Sequence, residues 1–417
     1  MRRRVAVTGV GMVDPFGGSA RDFFSRIARG ESAVQLHRRT MGTLEIVQPA
    51  VPCPHFEPAR EIGKALTFLT DRFSQMGLCA AFQAWDDAGL VRGGTGGAEP
   101  RDDIGVSWGT GVGGTTTFDA GYADFYERGR DRVAPTSVAM AMNNACASNI
   151  SIALGAGAAS LTYSVACASS AVAIGEAMRR IERGEARLVV AGGSEAPLTG
   201  SVMRAWDAMR VIAPAGPGDA HRACRPFARD RAGLVLGEGA AALVLEDLEH
   251  AQERGARVLC ELAGYGQSSD RTHLVRPDAA GQARAIRAAL RDAGLEAEQI
   301  GYVNAHGTAT REGDPIEVSA LREVFGGHAP RLAVSSTKSM HGHTLGASGA
   351  IEALVTVLAL ERQMVPPTAH LTQVEPDCEG VLHILGVGRD DHPFEAAASN
   401  SFAFGGSNAV LVFRRNP

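Results

Sequence analysis

The sequence predicts an α/β protein with a mostly parallel sheet, built from two halves of the same design. The first observation is that apolar runs typical of strands alternate with helical patterns, as in proteins whose helices connect parallel strands. The second is that each half has a strand that ends in a glycine turn, followed by a reactive side chain just before a helix. We expect the halves to be 1–250 and 251–417.

The individual elements are assigned from the periodicity of apolar residues. The strand-like runs are VAVTGV (5–10), RLVVAGG (187–193), AALVLED (241–247), VLCELAGYG (258–266), IGYVNAHG (300–307) and NAVLVF (408–413). The helical patterns that separate them are 171–184, 281–294, 314–325 and 345–361.

Composition excludes several classes of protein. The 417 residues carry a net charge of −5, so they offer no basic stripe for a nucleic-acid backbone. No apolar run approaches the roughly 18 residues that a membrane span needs. The 7 cysteines are odd in number, scattered and free of CxxC pairs, which predicts a reduced cytoplasmic protein without a disulfide framework or a zinc ribbon.

The stretch TYSVACASSAVAIGEAM (162–178) places a cysteine between a strand and a helix. Residues 162–166 alternate as a strand does, and helical spacing begins at Ser169. Cys167 therefore lies at the positive end of a helix dipole, which favours a thiolate and a nucleophilic role. The alternative is a small buried residue at a tight turn.

The stretch NAHGTATREGDPIE (304–317) brings His306 out of a strand and leads into a helix. Asp314, Pro315 and Glu317 fit a capping box, with Asp at the N-cap, Pro at N1 and Glu at N3. We therefore expect these three residues to have a structural role.

The stretch SSTKSMHGHTLGASGAIEALVTVLAL (335–360) begins with a polar loop and continues as a buried apolar helix. The helix dipole is expected to keep His343 neutral, so that it can donate a hydrogen bond. The alternative is a core histidine with its hydrogen bonds satisfied. His341 and His343 have the spacing of a metal pair, but no third ligand with zinc spacing is visible, so we expect no catalytic metal.

The stretch ASNSFAFGGSNAVLVF (398–413) predicts a tight turn at Phe404, Gly405 and Gly406 before the last strand. The double glycine frees backbone N–H groups to face a ligand, and it is equally consistent with a plain hairpin turn.

Taken together, the motifs resemble those of the β-ketoacyl synthases of the thiolase-like superfamily, over essentially the whole chain. The matching motifs are the Cys167 elbow, RPFARDRAGLVLGEGA (225–240), HGTAT (306–310), GDPIE (313–317), KSMHGH (338–343) and FAFGGSN (402–408). The resemblance implies a thiolase-like fold, with two pseudo-duplicated α/β halves in a layered αβαβα arrangement.

The implied activity is that of a stand-alone elongating enzyme. It would condense an acyl group with malonyl-acyl carrier protein, with decarboxylation, to give a 3-oxoacyl chain two carbons longer. Both substrates would be carried on the phosphopantetheine of an acyl carrier protein, with no bound cofactor. The enzyme would be a homodimer, or a heterodimer with a related ketosynthase or chain-length subunit.

The resemblance also assigns roles to single residues. Cys167 would hold the acyl group, His306 and His343 would serve malonyl decarboxylation, and Lys338 would orient the active-site histidine. The backbone N–H groups of Cys167 and Phe404 would form an oxyanion hole, with the Phe404 ring as a gate. Further assignments are Thr308 and Thr310 for the pantetheine arm, Arg210 for carrier docking, and Asn304, Glu317, Glu352 and Asn400 for a structural polar cluster that can hold water or a monovalent cation.

Departures from the family pattern bear on the acyl chain. Val112, Thr136 and Ser137 fall at acyl-pocket positions, and the last two also lie in the region expected at the dimer interface. Thr136 and Ser137 are smaller and more polar than the aromatics that fatty-acid enzymes tend to carry, which favours a polyene or polyketide pathway over housekeeping fatty acid synthesis. His341 stands where many relatives have threonine, and its role is open.

Three alternatives fit part of this pattern. A chain-length-type partner subunit would share the fold but lack the nucleophile. A thiolase-like enzyme acting on coenzyme A thioesters would carry a second cysteine near the C-terminal glycine turn, where FAFGGSN (402–408) has none. A Cys–His hydrolase would also form an acyl-cysteine, but it would not explain two neutral histidines and a lysine.

Overall fold

The computed structural model describes residues 2–92, 101–214 and 219–415. Its strands are β1 (Val5–Val13), β2 (Gln35–Met41), β3 (Leu44–Val51), β4 (Ile104–Gly109), β5 (Ser160–Tyr163), β6 (Leu188–Glu195), β7 (Leu236–Gly237), β8 (Gly239–Asp247), β9 (Cys260–Ser269), β10 (Ile300–Asn304), β11 (Ala333–Ser335), β12 (Leu382–His383), β13 (Ala396–Ala403) and β14 (Ser407–Arg414).

The α-helices cover both long connections and short turns. They are α1 (Ala20–Ala28), α2 (Pro58–Glu61), α3 (Lys64–Leu69), α4 (Arg72–Asp87), α5 (Thr115–Tyr126), α6 (Ser137–Ala141), α7 (Ala145–Leu154), α8 (Ser169–Glu182), α9 (Gly200–Ala208), α10 (Leu248–Glu253), α11 (Ala279–Ala293), α12 (Gly313–Phe325), α13 (Lys338–His341) and α14 (Ser348–Arg362). Across the described ranges, every helix is too short or too polar to cross a membrane.

The strand order repeats itself, as the sequence predicted. One run is β1-β8-β6-β4-β5, the other is β9-β14-β13-β10-β11-β12, and β1 pairs with β9 to join them. In each run the first two pairings are antiparallel and the next two are parallel. The same connectivity in both runs supports a duplicated design.

The expectation of a mostly parallel sheet was wrong, because the sheet is mixed. Strands β13 and β14 are joined directly by the turn at Phe404, Gly405 and Gly406, and so tight a connection can join only antiparallel strands. The alternation of strands with helices predicts parallel strands only where a helix connects one strand to the next.

Two helices lie between the two runs of strands. Helix α8 contacts β4 and β6 of the first run and β9 and β14 of the second, and α14 contacts strands of both runs as well. Helices α4 and α7 cover the outer face of the first run, while α11, with α12 beside it, covers that of the second. The result is the expected αβαβα arrangement.

The two central helices approach closely because their facing residues are small. A Cβ atom on Gly349 would lie 2.7 Å from the backbone N of Ala171, so only glycine fits there. Residues Ser348 to Leu360 of α14 are all buried. This packing brings the N-terminal ends of α8 and α14, and the residues that precede them, to one place.

Candidate active site

Cys167 lies in the predicted strand–turn–helix junction, two residues before α8 begins. The hydroxyl of Ser169 holds this turn, because its oxygen accepts from the Val165 N–H at 2.9 Å and it donates to the Ala166 carbonyl at 2.6 Å. Ala166 has a positive φ of 46°, which bends the chain sharply before the cysteine. Cys167 is 6% exposed.

The thiolate expected from the helix dipole is not favoured in this environment. Burial raises the pKa of Cys167 to about 11, although the charge of Lys338 and the backbone N–H of Phe404 act in the opposite direction. A thiol with so high a pKa is protonated at neutral pH, so the predicted nucleophilic role would require this proton to leave as the sulfur attacks.

His343 is placed to receive that proton. Its Nε2 atom lies 3.1 Å from the Cys167 sulfur, and its Nδ1 atom lies 2.8 Å from the hydroxyl of Ser348, the first residue of α14. The pKa of His343 is well below the ordinary value, first through burial and then through the charge of Lys338. This low pKa agrees with the predicted neutral imidazole, but burial rather than the helix dipole is its main cause.

His306 completes the reactive group. Its ring is perpendicular to that of His343, with 5.5 Å between centroids. The Lys338 ammonium donates to the His306 carbonyl at 2.6 Å and lies 3.5 Å from ring Nδ1. Because an ammonium can only donate, the ring accepts at Nδ1 and carries its own proton on Nε2. Burial and the charge of Lys338 hold the pKa of His306 far below its usual range.

The predicted capping box at the start of α12 was wrong. The helix begins at Gly313, its N-cap residue is Glu312, and no side chain caps it. Asp314 instead accepts from the backbone N–H of Phe227 at 2.7 Å. Glu317 accepts from the N–H groups of His306 and Gly307 at 2.9 and 2.8 Å. Both carboxylates therefore hold other chain segments, and Glu317 fixes the turn that presents His306.

The predicted polar cluster surrounds Lys338. Its ammonium is paired with Glu352, and both residues are fully buried. Asn304 donates to the Glu352 carbonyl at 3.3 Å, and Asn400 donates to Glu317 at 3.1 Å. Among the described residues, Glu352 Oε2 and Asn400 Oδ1 have no hydrogen-bond partner. Each of these buried oxygens could accept a hydrogen bond from a water molecule, and the monovalent cation implied by the resemblance stays a prediction.

A cavity of about 610 Å³ leads to the reactive group. Cys167, His306 and His343 all line it, as do Thr308 and Thr310, whose hydroxyl oxygens lie 3.1 Å apart. The Phe404 ring stands in its wall, stacked on Trp206 at 5.8 Å between centroids. Arg210 lines the cavity too, so Cys167, both histidines, the pantetheine threonines and the docking arginine share one space, whereas Lys338 contacts His306 without lining the cavity.

Other predicted residues lie outside this cavity. Val112, Thr136 and Ser137 are half-buried and do not line it, so their place in an acyl pocket stays a prediction. Sequence reasoning also missed two partners. No sequence pattern pointed to the contact of Ser348 with His343 or to the stacking of Trp206 on Phe404.

The reactive group has the donor set of a metal site. Ligand atoms of Cys167, His306 and His343 lie within 4.8 Å of one another, so the fold supplies the third donor that spacing did not reveal. His341, the other half of the predicted pair, is not among the three. The Lys338 ammonium beside His306 opposes a cation, which makes the group better suited to acid–base chemistry.

Comparisons with known proteins agree with this geometry. The family model "Beta-ketoacyl synthase, N-terminal domain" matches residues 2–251, and "Beta-ketoacyl synthase, C-terminal domain" matches residues 259–372. The chain is 39% identical to Nodulation protein E of Rhizobium sp. (strain N33), covering 100% of both. It is 38% identical to 3-oxoacyl-[acyl-carrier-protein] synthase 2 of Staphylococcus aureus (strain COL), over 99% of this chain and 98% of that protein. The solved structure of the ishigamide ketosynthase/chain length factor superposes with a TM-score of 0.91 at 30% identity, covering 100% of both chains.

Proposed function

The chain belongs to the β-ketoacyl synthase family, and from this premise we propose that it catalyses the decarboxylative condensation of an acyl group with malonyl-acyl carrier protein. The observation that carries the proposal is the contact of 3.1 Å between the Cys167 sulfur and His343 Nε2, with His306 facing His343 in the same cavity. A chain-length-type subunit without a nucleophile would not need this arrangement.

The first half-reaction loads Cys167. Its sulfur forms a bond to the acyl carbonyl of the carrier thioester, and His343 accepts the thiol proton. The carrier sulfur then leaves with that proton as a free thiol. The N–H groups of Cys167 and Phe404 stabilise the oxyanion, and such a donor contributes about 3 kcal/mol in comparable sites.

The second half-reaction uses both imidazoles as neutral donors. The malonyl thioester oxygen accepts hydrogen bonds from the Nε2–H groups of His306 and His343 while the bond to the carboxylate breaks, so for this step His343 adopts the tautomer in which Nδ1 accepts from Ser348. Carbon dioxide leaves, and the electron pair forms an enolate that attacks the acyl carbonyl. Formation of the new carbon–carbon bond breaks the Cys167 thioester and releases the sulfur as a thiolate, which takes up a proton from solvent because the original proton left with the carrier thiol. The low pKa of both histidines supports this scheme, because an imidazolium would lose its proton to the enolate.

The charge at the opening of the cavity is complementary to that of an acidic carrier protein. Arg210, Arg276 and Arg311 are exposed and line the cavity together with the exposed Glu312, so positive charge is in excess among these four side chains. Thr308 and Thr310 lie deeper, where a pantetheine arm would pass. Complementary charge of this kind accelerates the encounter and fixes its orientation.

A second, related chain is the partner proposed for the edge of the sheet. Strand β5 ends the strand order, so one of its edges is open to pairing. Nearby helices α5 and α6 expose Phe118, Tyr122, Tyr126 and Val138, and β5 exposes Leu161. We propose that a homodimer or a heterodimer with a chain-length subunit covers this surface. Light scattering of the purified chain alone, and after co-expression with a candidate partner, distinguishes the two.

The acyl chain is proposed to be polyene- or polyketide-like rather than saturated. Support comes from the small polar side chains of Thr136 and Ser137 at the positions assigned to the acyl pocket. Turnover on saturated and polyenoyl carrier substrates tests this, and equal or better use of the saturated chains would contradict it. The division at residue 250 and the cytoplasmic location remain predictions.

The experiment for the activity itself is intact mass spectrometry after mixing the protein with acyl-carrier protein, followed by malonyl-carrier protein. We expect an acyl adduct that is absent in Cys167→Ala and is discharged as a 3-oxoacyl product two carbons longer. An adduct lost to water alone would favour a hydrolase, and no adduct from any chain would favour a binding role.

A further inference from the structure

His341 is buried but takes no direct part in the proposed chemistry. It is 1% exposed, it ends the one-turn helix α13, and its ring lies beside Phe23 with 6.1 Å between centroids. Its Nε2 atom lies 3.0 Å from the hydroxyl oxygen of Thr337, one turn earlier in the chain. A polar side chain in such a place is usually retained for its hydrogen bond.

The hydrogen-bond directions around Thr337 can be read from the neighbouring groups. The Thr337 hydroxyl lies 3.5 Å from Asn304 Oδ1, to which it can donate, and 3.0 Å from His341 Nε2. Because a hydroxyl has one proton, donation to Asn304 leaves its oxygen to accept from His341 Nε2–H. Thr337 is the N-cap residue of α13, yet its side chain caps no N–H of that helix. Its hydroxyl links His341 to Asn304 instead.

This link connects the two segments that carry Lys338 and His306. Lys338 follows Thr337 and opens α13, while Asn304 ends β10 two residues before His306. Asn304 also donates to the carbonyl of Glu352, whose carboxylate pairs with Lys338. The contacts that begin at His341 therefore lead to the Lys338 ammonium and to the segment that carries His306.

We propose that His341 is a positioning residue, which holds Thr337 and through it fixes the Lys338 ammonium against His306. The inference rests on the proposed condensation activity, because it assigns His341 to decarboxylation rather than to loading of Cys167. The Cys167–His343 contact involves neither Thr337 nor Lys338 directly, and the Lys338 ammonium acts on Cys167 only through its charge, so a change at His341 should affect decarboxylation more than loading.

The test compares His341→Leu with His341→Gln. Leucine removes the donor, whereas the glutamine amide can still donate to Thr337. We expect His341→Leu to slow malonyl decarboxylation about tenfold, the effect of losing roughly one hydrogen bond, with a smaller effect on loading of Cys167 and with decarboxylation largely restored in His341→Gln. A matched control is His328→Leu, which removes an imidazole bonded to the Ile300 carbonyl at the other end of β10.

A double-variant cycle separates positioning from general loosening of the fold. If His341 acts through Lys338, then His341→Leu should change decarboxylation little in a Lys338→Met background. Equal loss in both half-reactions, the same tenfold loss in the Lys338→Met background, or unchanged decarboxylation in a folded His341→Leu protein would each overturn the inference. Failure of the wild-type protein to load or decarboxylate would refute the proposed function instead.

Discussion

Lys338 is bound to His306 at two points, because its ammonium donates to the backbone carbonyl at 2.6 Å and lies 3.5 Å from ring Nδ1. The Lys338 ammonium thereby fixes both the position of His306 and the tautomer of its ring. The same charge lowers the pKa values of His306, His343 and Cys167. A single buried lysine thus keeps the histidines neutral and eases ionisation of the thiol.

The first prediction concerns the buried pair of Lys338 and Glu352. Lys338→Met leaves Glu352 buried without its cation, and because burial already raises the pKa of Glu352 to about 7, the unpaired charge should cost about 3–5 kcal/mol of stability only at a pH well above 7. Adding Glu352→Gln removes the stranded charge, so the double variant should recover part of that loss. Urea unfolding of the three proteins measures this. A double variant less stable than Lys338→Met would contradict it.

The second prediction concerns the reactivity of Cys167 with pH. Because burial raises the pKa of this thiol to about 11, the thiolate fraction should increase about tenfold for each pH unit throughout the range from 7 to 10. Alkylation by iodoacetamide, followed by intact mass with Cys167→Ala as the control, should keep accelerating across that range. A plateau near pH 7 would show a thiolate already formed in the resting protein.

The third prediction concerns carrier docking. Arg276→Glu and Arg311→Glu reverse charges at the cavity opening, so we expect KM for an acyl-carrier substrate to rise several-fold, with less effect at high salt. KM for a short pantetheine thioester should not change. Arg291→Glu is the control, since Arg291 is exposed but lies outside the cavity lining. Equal effects on both substrates would place the arginines in substrate binding rather than docking.

Sequence reasoning found those features that are encoded locally. The junction around Cys167 combines an alternating run with a helical one, and the turn at Phe404 follows from a double glycine before an apolar strand. The neutral state of His343 was predicted as well. Each of these depends on residues close together in the chain or on motifs that the resemblance supplied.

Features that depend on distant packing were missed or misread. Glu317 has the spacing of a capping residue, but the fold places its carboxylate against the His306 and Gly307 N–H groups, so it serves another segment. The Cys167 thiolate was expected from the helix dipole, whereas burial by the two central helices outweighs that effect. Neither outcome follows from spacing, because both depend on which elements lie side by side.

The last prediction follows from Asp314, which is fully buried. Burial raises its pKa to about 7 from an ordinary value of 3.8, although Arg231 and the Phe227 N–H oppose the shift. A carboxyl whose pKa is raised by folding stabilises the protein in its protonated form. This stabilisation is complete below about pH 4 and is lost as the pH rises through 7.

Asp314→Asn keeps a neutral side chain at every pH, so the difference in unfolding free energy between the wild-type protein and this variant isolates the titration. As the pH rises from 4 to 7, we expect the wild-type protein to lose up to about 4 kcal/mol of unfolding free energy relative to the variant. Urea unfolding at several pH values measures it, with Asp390→Asn as an exposed control. A constant difference across the range would mean that Asp314 is ionised throughout, held by Arg231 at 3.7 Å more strongly than burial opposes its charge.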